Sequence, residues 1–289
     1  MAGFRSVKQF AEAEENGRSF VSHYRKNFTS SVASQFWQDT SMTPGGPPAN
    51  FFAATPLEAS TLTGSRGIYH GDDKSPSAKY LTHWGSMAST ANLSGPQHLM
   101  DYLLFYPFVD SDELATQEMI NTATLPRYTD GENVMVMPVG LSTSVGGGSF
   151  TFVYTNQDGV EKTSPTNLCN SAGNITNPGQ VTKGTIFGGA NSGWPFCELA
   201  AGDRGVRDIK SVTYLAANGG LAAFVLVKVL ATNVLREAST MSEVEFITRL
   251  TPPPRIYDGA YLNIVMYHPS NTTGSTLTGY IRTIWDEGT

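Results

Sequence analysis

The side chains able to do chemistry are scattered along the 289 residues. His23, His70, His83, His98 and His268 never fall two to five residues apart, so no pair offers the local imidazole couple of a zinc site. Asp110, Asp112 and Glu113 could offer hard oxygens to Ca²⁺, but their spacing departs from an EF-hand loop. Capping of a helix that starts near Glu113 is the simpler use of these acids. Gly189-Ala190-Asn191-Ser192-Gly193 resembles a nucleophile elbow around Ser192, yet the glycine lies one place too far upstream and no strand leads tightly into it. A plain turn is the better reading. Asp72, Asp73, Glu161 and Glu245 could form a glycosidase pair only through tertiary proximity. Asp203-Arg204 and Arg207-Asp208 could make ion pairs at a subunit junction or sit in a solvated loop. Trp84 beside His83, and Trp194, could stack on sugar rings, although tryptophan more often anchors a core or an interface. Phosphate-loop, dinucleotide and HExxH patterns are missing. The sequence therefore points to no catalytic residue, no metal site and no cofactor, and to a protein that is not an enzyme.

Charged residues make up only 15% of the chain, below the roughly 25% usual for soluble domains. Few charges need desolvating when such a surface is covered by a neighbour. The net charge of −6 provides no global field for nucleic acid or an anionic membrane, so neither is expected as a partner. No run approaches the ~18 apolar residues of a membrane span. The first ten residues carry charges and lack a signal-peptide core, which implies synthesis in the cytosol. Cys169 and Cys197 could pair, but free buried thiols suit that compartment better.

Three regions must position these residues. Residues 1–95 read as an N-terminal helical and extended arm. Phe4, Val7, Phe10 and Ala11 share a helical face, and Phe20, Val21, Tyr24 and Phe28 resume it after Gly17. Beyond Ser30 periodicity fades, and TPGGPPAN (Thr43 to Asn50) can be neither helix nor central strand. Phe36, Trp37, Phe51, Phe52, Tyr69, Tyr80 and Trp84 stud this stretch, and an extended arm would use Phe36, Trp37, Phe51, Phe52, Tyr69 and Trp84 as interface anchors. Residues 96–127 read as a helical and loop connector, with Leu99, Met100, Leu103 and Leu104 on one helix face ended by Pro107. Residues 128–289 read as an antiparallel β-sandwich of jelly-roll type with about eight or nine strands. A hairpin over Ser149 to Ser164 turns at Asn156-Gln157-Asp158-Gly159. A second hairpin joins Ser211–Leu215 to Leu221–Leu230 around Asn218-Gly219-Gly220, and a weak strand is expected over Thr185–Gly188. The expected fold class is mainly β, preceded by the arm.

Five stretches carry a likeness: DYLLFYPFVDSDE (Asp101–Glu113), TATLPRYTDGENV (Thr122–Val134), FTFVYTNQDGVEKTSP (Phe150–Pro165), LAAGDRGVRDIKSV (Leu199–Val212) and PRIYDGAYLNIV (Pro254–Val265). They resemble a family of tailed-bacteriophage virion structural proteins, as does the opening from Tyr24 to Pro56. The resemblance implies a multi-copy particle protein in the virion. Decoration or cement on the capsid surface is the expected station, with the major capsid protein and copies of itself, as a homotrimer, for partners. A tail or head–tail position and a carbohydrate-binding β-domain for host recognition are the alternatives. The family brings no catalytic residues.

Overall fold

The structure is a computed structural model that describes residues 4, 6–28, 36–169, 177–183, 193–248, 252–270 and 274–287. It is mainly β, with antiparallel sheets packed face to face and one short α-helix, α1 (Val7–Glu15), near the N-terminus. The Ser6 hydroxyl caps α1 by accepting the Gln9 N–H, and Gly17 at φ 67° turns the chain out of the helix.

The first strands are β1 (Ser19–Phe28), β2 (Phe36–Asp39), β3 (Gly45–Gly46), β4 (Ser60–Thr61), β5 (Lys79–Ala88) and β6 (Gly95–Asp110). Then come β7 (Gln117–Glu118), β8 (Val134–Gly140), β9 (Ser149–Asn156), β10 (Glu161–Thr163), β11 (Asn167–Leu168) and β12 (Val206–Ala216). The chain closes with β13 (Leu221–Leu235), β14 (Ser242–Glu245), β15 (Arg255–Ile256), β16 (Tyr261–His268) and β17 (Ser275–Trp285). A central sheet runs β2-β16-β6-β13-β8, with β4 added to β6. A second sheet runs β14-β5-β17-β1-β3, with β15 on β5, and a smaller third runs β10-β9-β12-β7, with β11 on β9.

Side-chain alternation shows how the layers stack. On β13, Ala222, Phe224 and Leu226 enter a core shared with Phe150, Phe152, Ile209 and Val212 of the third sheet. Farther along β13, Leu230, Ala231 and Leu235 pack into a core shared with Tyr24, Trp84, Leu277 and Ile281 of the second sheet. Both cores lie on the same face of the central sheet, so the second and third sheets cover it side by side. Ala223, Val225 and Val227 point the other way, into a third core closed by Trp37, Met42, Phe52, Leu62 and Phe196.

The long strands β6 and β13 are what both halves share. Their register breaks at three places, and Leu103 is bypassed between the pairs Val227↔Tyr102 and Leu226↔Leu104. The bulge turns Leu103 and Leu104 into the same core. Pro107 and Phe108 are likewise bypassed, which accommodates a proline that cannot donate to the ladder, with Phe108 at φ 58°.

Several expectations are corrected here. Only the first of the two N-terminal helices forms; Phe20 to Phe28 is strand β1, paired residue for residue with β17 from Ser19↔Ile284 to Phe28↔Ser275. The expected helix at 97–107 is strand β6. Residues 19–28 and 79–88 supply strands inside the second sheet, so the 1–95 segment is pleated into the sandwich and does not stand off as an arm. The hairpin at Phe150–Ser164 forms as expected, β9 pairing β10. The second does not: β12 belongs to the third sheet and β13 to the central one, and Gly219 and Gly220, at φ 72° and 79°, carry the chain between layers. A side chain at Gly220 would strike the Thr143 carbonyl. The strand expected at 185–188 lies outside the described residues.

This pairing predicts the outcome of limited proteolysis on the isolated chain. The resistant core should retain peptides from β1 and β5 together with those from β17 and β6, because strands held on both sides of a sheet open only with the whole. A stable fragment beginning near residue 96 or 128, with β1 and β5 lost, would contradict it.

Candidate functional site

The six aromatics expected as anchors divide into two sets. Phe36, Trp37, Phe52 and Trp84 are buried within the chain itself. Trp37 stacks on His98 with ring centroids 5.1 Å apart and meets Tyr267 edge-on at 5.7 Å. The Trp84 indole N–H donates to the Tyr24 hydroxyl at 3.0 Å. These four cannot grip another surface while the fold is intact. Phe51 and Tyr69 do face outward, at 56% and 51% exposure. Phe52 adopts φ 48°. That kink separates neighbours, Phe52 against Phe105 at 5.4 Å and Phe51 in solvent. Tyr69 stands edge-on to Phe20 at 5.2 Å and donates to Asp72 at 2.5 Å, so its ring is held in place.

The acidic cluster serves the backbone. Asp110 accepts the Asp112 N–H at 2.9 Å, Asp112 the Gly219 N–H at 2.9 Å and Glu113 the Ala115 N–H at 2.7 Å. No helix starts at Glu113; the carboxylates cap turns in a loop. Asp203 accepts from the Tyr154 hydroxyl at 2.6 Å and the Asn156 amide at 2.8 Å. Arg204 pairs with Glu132 at 3.1 Å and Asp208 with Lys210 at 3.1 Å, all within the chain. Cys169 and Cys197 are free and buried, and burial pushes the Cys169 thiol up to about 12. Ser192 lies outside the described residues. Trp194, 45% exposed, stands edge-on to His98 at 5.1 Å.

A surface feature without any sequence signal is a cleft of about 610 Å³ at the corner between β13 and β14. Val234 and Met241 expose apolar surface there, flanked by Arg236, Glu237 and Glu243. Its walls are braced: the Ser242 hydroxyl donates to the Asn233 side-chain oxygen at 2.8 Å, and the Tyr280 hydroxyl donates to Glu243 at 2.6 Å. Apolar side chains between charges of both signs suit contact with another polypeptide. Phe51 and Tyr69 lie outside this cleft and are separate outward-facing rings.

The buried titratable groups are framework. His70 and His98 are each pushed down to about 4, and His268 to about 3, foremost by burial. Lys26 is lowered to about 8 by burial, its ammonium donating to the Thr43 and Pro47 carbonyls at 3.2 and 2.9 Å. Asp39 is raised by burial and accepts from Tyr102 at 2.6 Å and the Ser41 N–H at 2.8 Å. Among the described residues no group of three or more His, Cys, Asp or Glu side chains is placed to hold a metal ion. No family model, curated protein or solved structure matches the chain.

Two predictions follow from this division. Trp37→Ala or Trp84→Ala should cost the isolated chain ~3–5 kcal/mol in urea unfolding, whereas Phe51→Ala should change it by no more than ~0.5 kcal/mol. Equal effects would contradict the burial pattern. Stability should also fall on acidification. An unfolded histidine takes up its proton near the ordinary value of 6.5, while the folded His70 and His98 resist until about 4. Stability contributed by the neutral imidazoles is thus complete above pH 6.5 and is lost as pH drops toward 4, by up to ~1.4 kcal/mol per unit for each. Asp39 and Asp101, both raised by burial, work in the opposite sense, since each takes up its proton in the folded chain before it would in the unfolded one. A urea midpoint unchanged between pH 7 and pH 5 would rule the effect out.

Proposed function

We propose that the chain is a structural subunit of a tailed-phage particle, a decoration or cement protein that binds the assembled head and stabilises it. The observation that carries this reading is where the five family-like stretches lie in the fold. Asp101 of the first, Arg127 of the second and the Tyr261 N–H of the fifth meet at one buried ion pair. Tyr154 and Asn156 of the third hold Asp203 of the fourth, and the Tyr106 hydroxyl of the first accepts the Ile209 N–H of the fourth. The likeness thus falls on framework residues, as a protein requires whose task is to hold a shape and present a surface. The sparse charge and the outward Phe51, Tyr69, Val234 and Met241 agree with that task.

On this reading the partners are the major capsid protein and further copies of the chain, with a trimer matching a three-fold position on a shell. Counting copies per particle tests it: hundreds indicate the shell, a dozen or fewer a tail or head–tail station. Phe51→Ala combined with Tyr69→Ala should leave the chain folded but weaken binding to heads lacking it by more than tenfold, since an anchoring aromatic contributes ~2 kcal/mol. Heads without the protein should release DNA at lower temperature. Full, stable heads that had lost adsorption to cells would replace the cement reading with host recognition.

A further inference from the structure

Between the β15 edge of the second sheet and the Pro126–Arg127 loop, the surface opens into a cleft of about 210 Å³. Ser75, Ser77, Lys79, Arg127, Arg255 and Asp258 are among its lining residues. Arg127 is almost fully buried, and two of its three guanidinium nitrogens are accounted for. Nε and Nη2 fork onto Asp101 at 2.8 Å each, and Nη2 also donates to the Leu62 and Tyr102 carbonyls at 3.2 and 2.9 Å. Nη1 meets no partner among the described residues. Arg255 is exposed, sits over the Tyr257 ring at 4.5 Å and makes no ion pair among the described residues.

The remaining charges in the lining are turned elsewhere. Both Asp258 oxygens face backbone, accepting the Lys74 N–H at 2.9 Å and the Ser75 N–H at 3.0 Å. Lys79 donates to the Gly71 and Asp72 carbonyls at 3.3 and 3.0 Å. The lining therefore brings together one guanidinium held by a buried ion pair, with Nη1 unengaged, a second guanidinium over an aromatic ring, and two serines. Planar guanidinium donors with no acceptor match the lone pairs of a carboxylate or phosphate. Arg127 already has its counter-charge in Asp101, so an incoming anion would balance Arg255.

We infer that this cleft is an oxyanion site that takes a carboxylate or phosphate group between Arg127 Nη1 and Arg255, with Ser75 and Ser77 as further donors. The site stands independently of the particle role. Nearby Asp72, Asp73 and Asp258 keep the long-range field weak, so recognition rests on the short hydrogen bonds and the affinity of a free anion is on the order of millimolar. The same chemistry is available from a free inorganic anion and from an acidic side chain on a neighbouring subunit.

The test is a titration of the whole isolated chain with inorganic phosphate and with glutarate at constant ionic strength, followed by amide shifts. Wild type should saturate with shifts centred on residues 74–79, 126–127 and 255–258. Arg255→Gln, at an exposed position, should weaken binding at least about tenfold, and Arg25→Gln, outside the cleft, should leave it unchanged. Absence of saturation for both anions up to ~100 mM, or equal binding by Arg255→Gln, would overturn the assignment. Saturating phosphate that releases the protein from heads would identify a neighbour's carboxylate as the occupant, and unchanged occupancy a free anion. Both would keep the site.

Discussion

A carboxylate buried in the middle of the central sheet is the constraint around which this molecule is arranged. Asp101 lies on β6 between Leu99, which enters the core under the second sheet, and Leu103, which enters the core under the third. It is wholly buried, and burial pushes its carboxyl up while the Arg127 fork opposes this. An unpaired charge there would cost several kcal/mol, so Arg127 has to arrive from the loop before β8. Its guanidinium also ties the Leu62 and Tyr102 carbonyls, and Asp101 in turn accepts the Tyr261 N–H at 3.1 Å. Lys228, paired with Asp101 across the strands, continues the polar seam by donating to the Glu132 carbonyl at 2.6 Å beneath the Tyr128 ring. Five chain segments distant in sequence are fixed by this one seam.

The functional reading starts from the work that the charged side chains do inside the fold. Asp110, Asp112 and Glu113 cap turns, Asp101 and Arg127 fork onto one another, and Asp203 ties its loop to β9. What the fold leaves outward is a lightly charged exterior with a few large side chains, Phe51 and Tyr69 on loops and Val234 and Met241 at the β13–β14 corner. A framework that keeps large side chains outward on loops is consistent with the proposed role of a multi-copy particle subunit.

The sequence revealed the β character after residue 128 because strands there alternate cleanly, as Phe150, Phe152 and Tyr154 do, or stay apolar on both faces, as β13 does. It misled before that point for physical reasons. In β1 the inward positions are Ser22, Tyr24, Lys26 and Phe28, and an inward serine and lysine erase the alternation. In β6 both faces are buried, so no polar side appears, and the bulge at Leu103 brings residues 99, 103 and 104 to one face at helical spacing. Pairing of β1 with β17 spans nearly the whole chain, which no local pattern can announce. Of the anchors, Phe51 and Tyr69 kept an exposed position, while Phe36, Trp37, Phe52 and Trp84 satisfied the chain's own cores.

If the Asp101–Arg127 seam unites the two halves, they must fail together when it is broken. The direct measurement is hydrogen exchange through urea unfolding of Arg127→Met, following amides of β17 in the second sheet and of β9 in the third. The expected result is a common loss of ~3–5 kcal/mol in both strands, with the two unfolding as one transition. A loss under ~1 kcal/mol, or one confined to a single half, would contradict a scaffold organised on this ion pair.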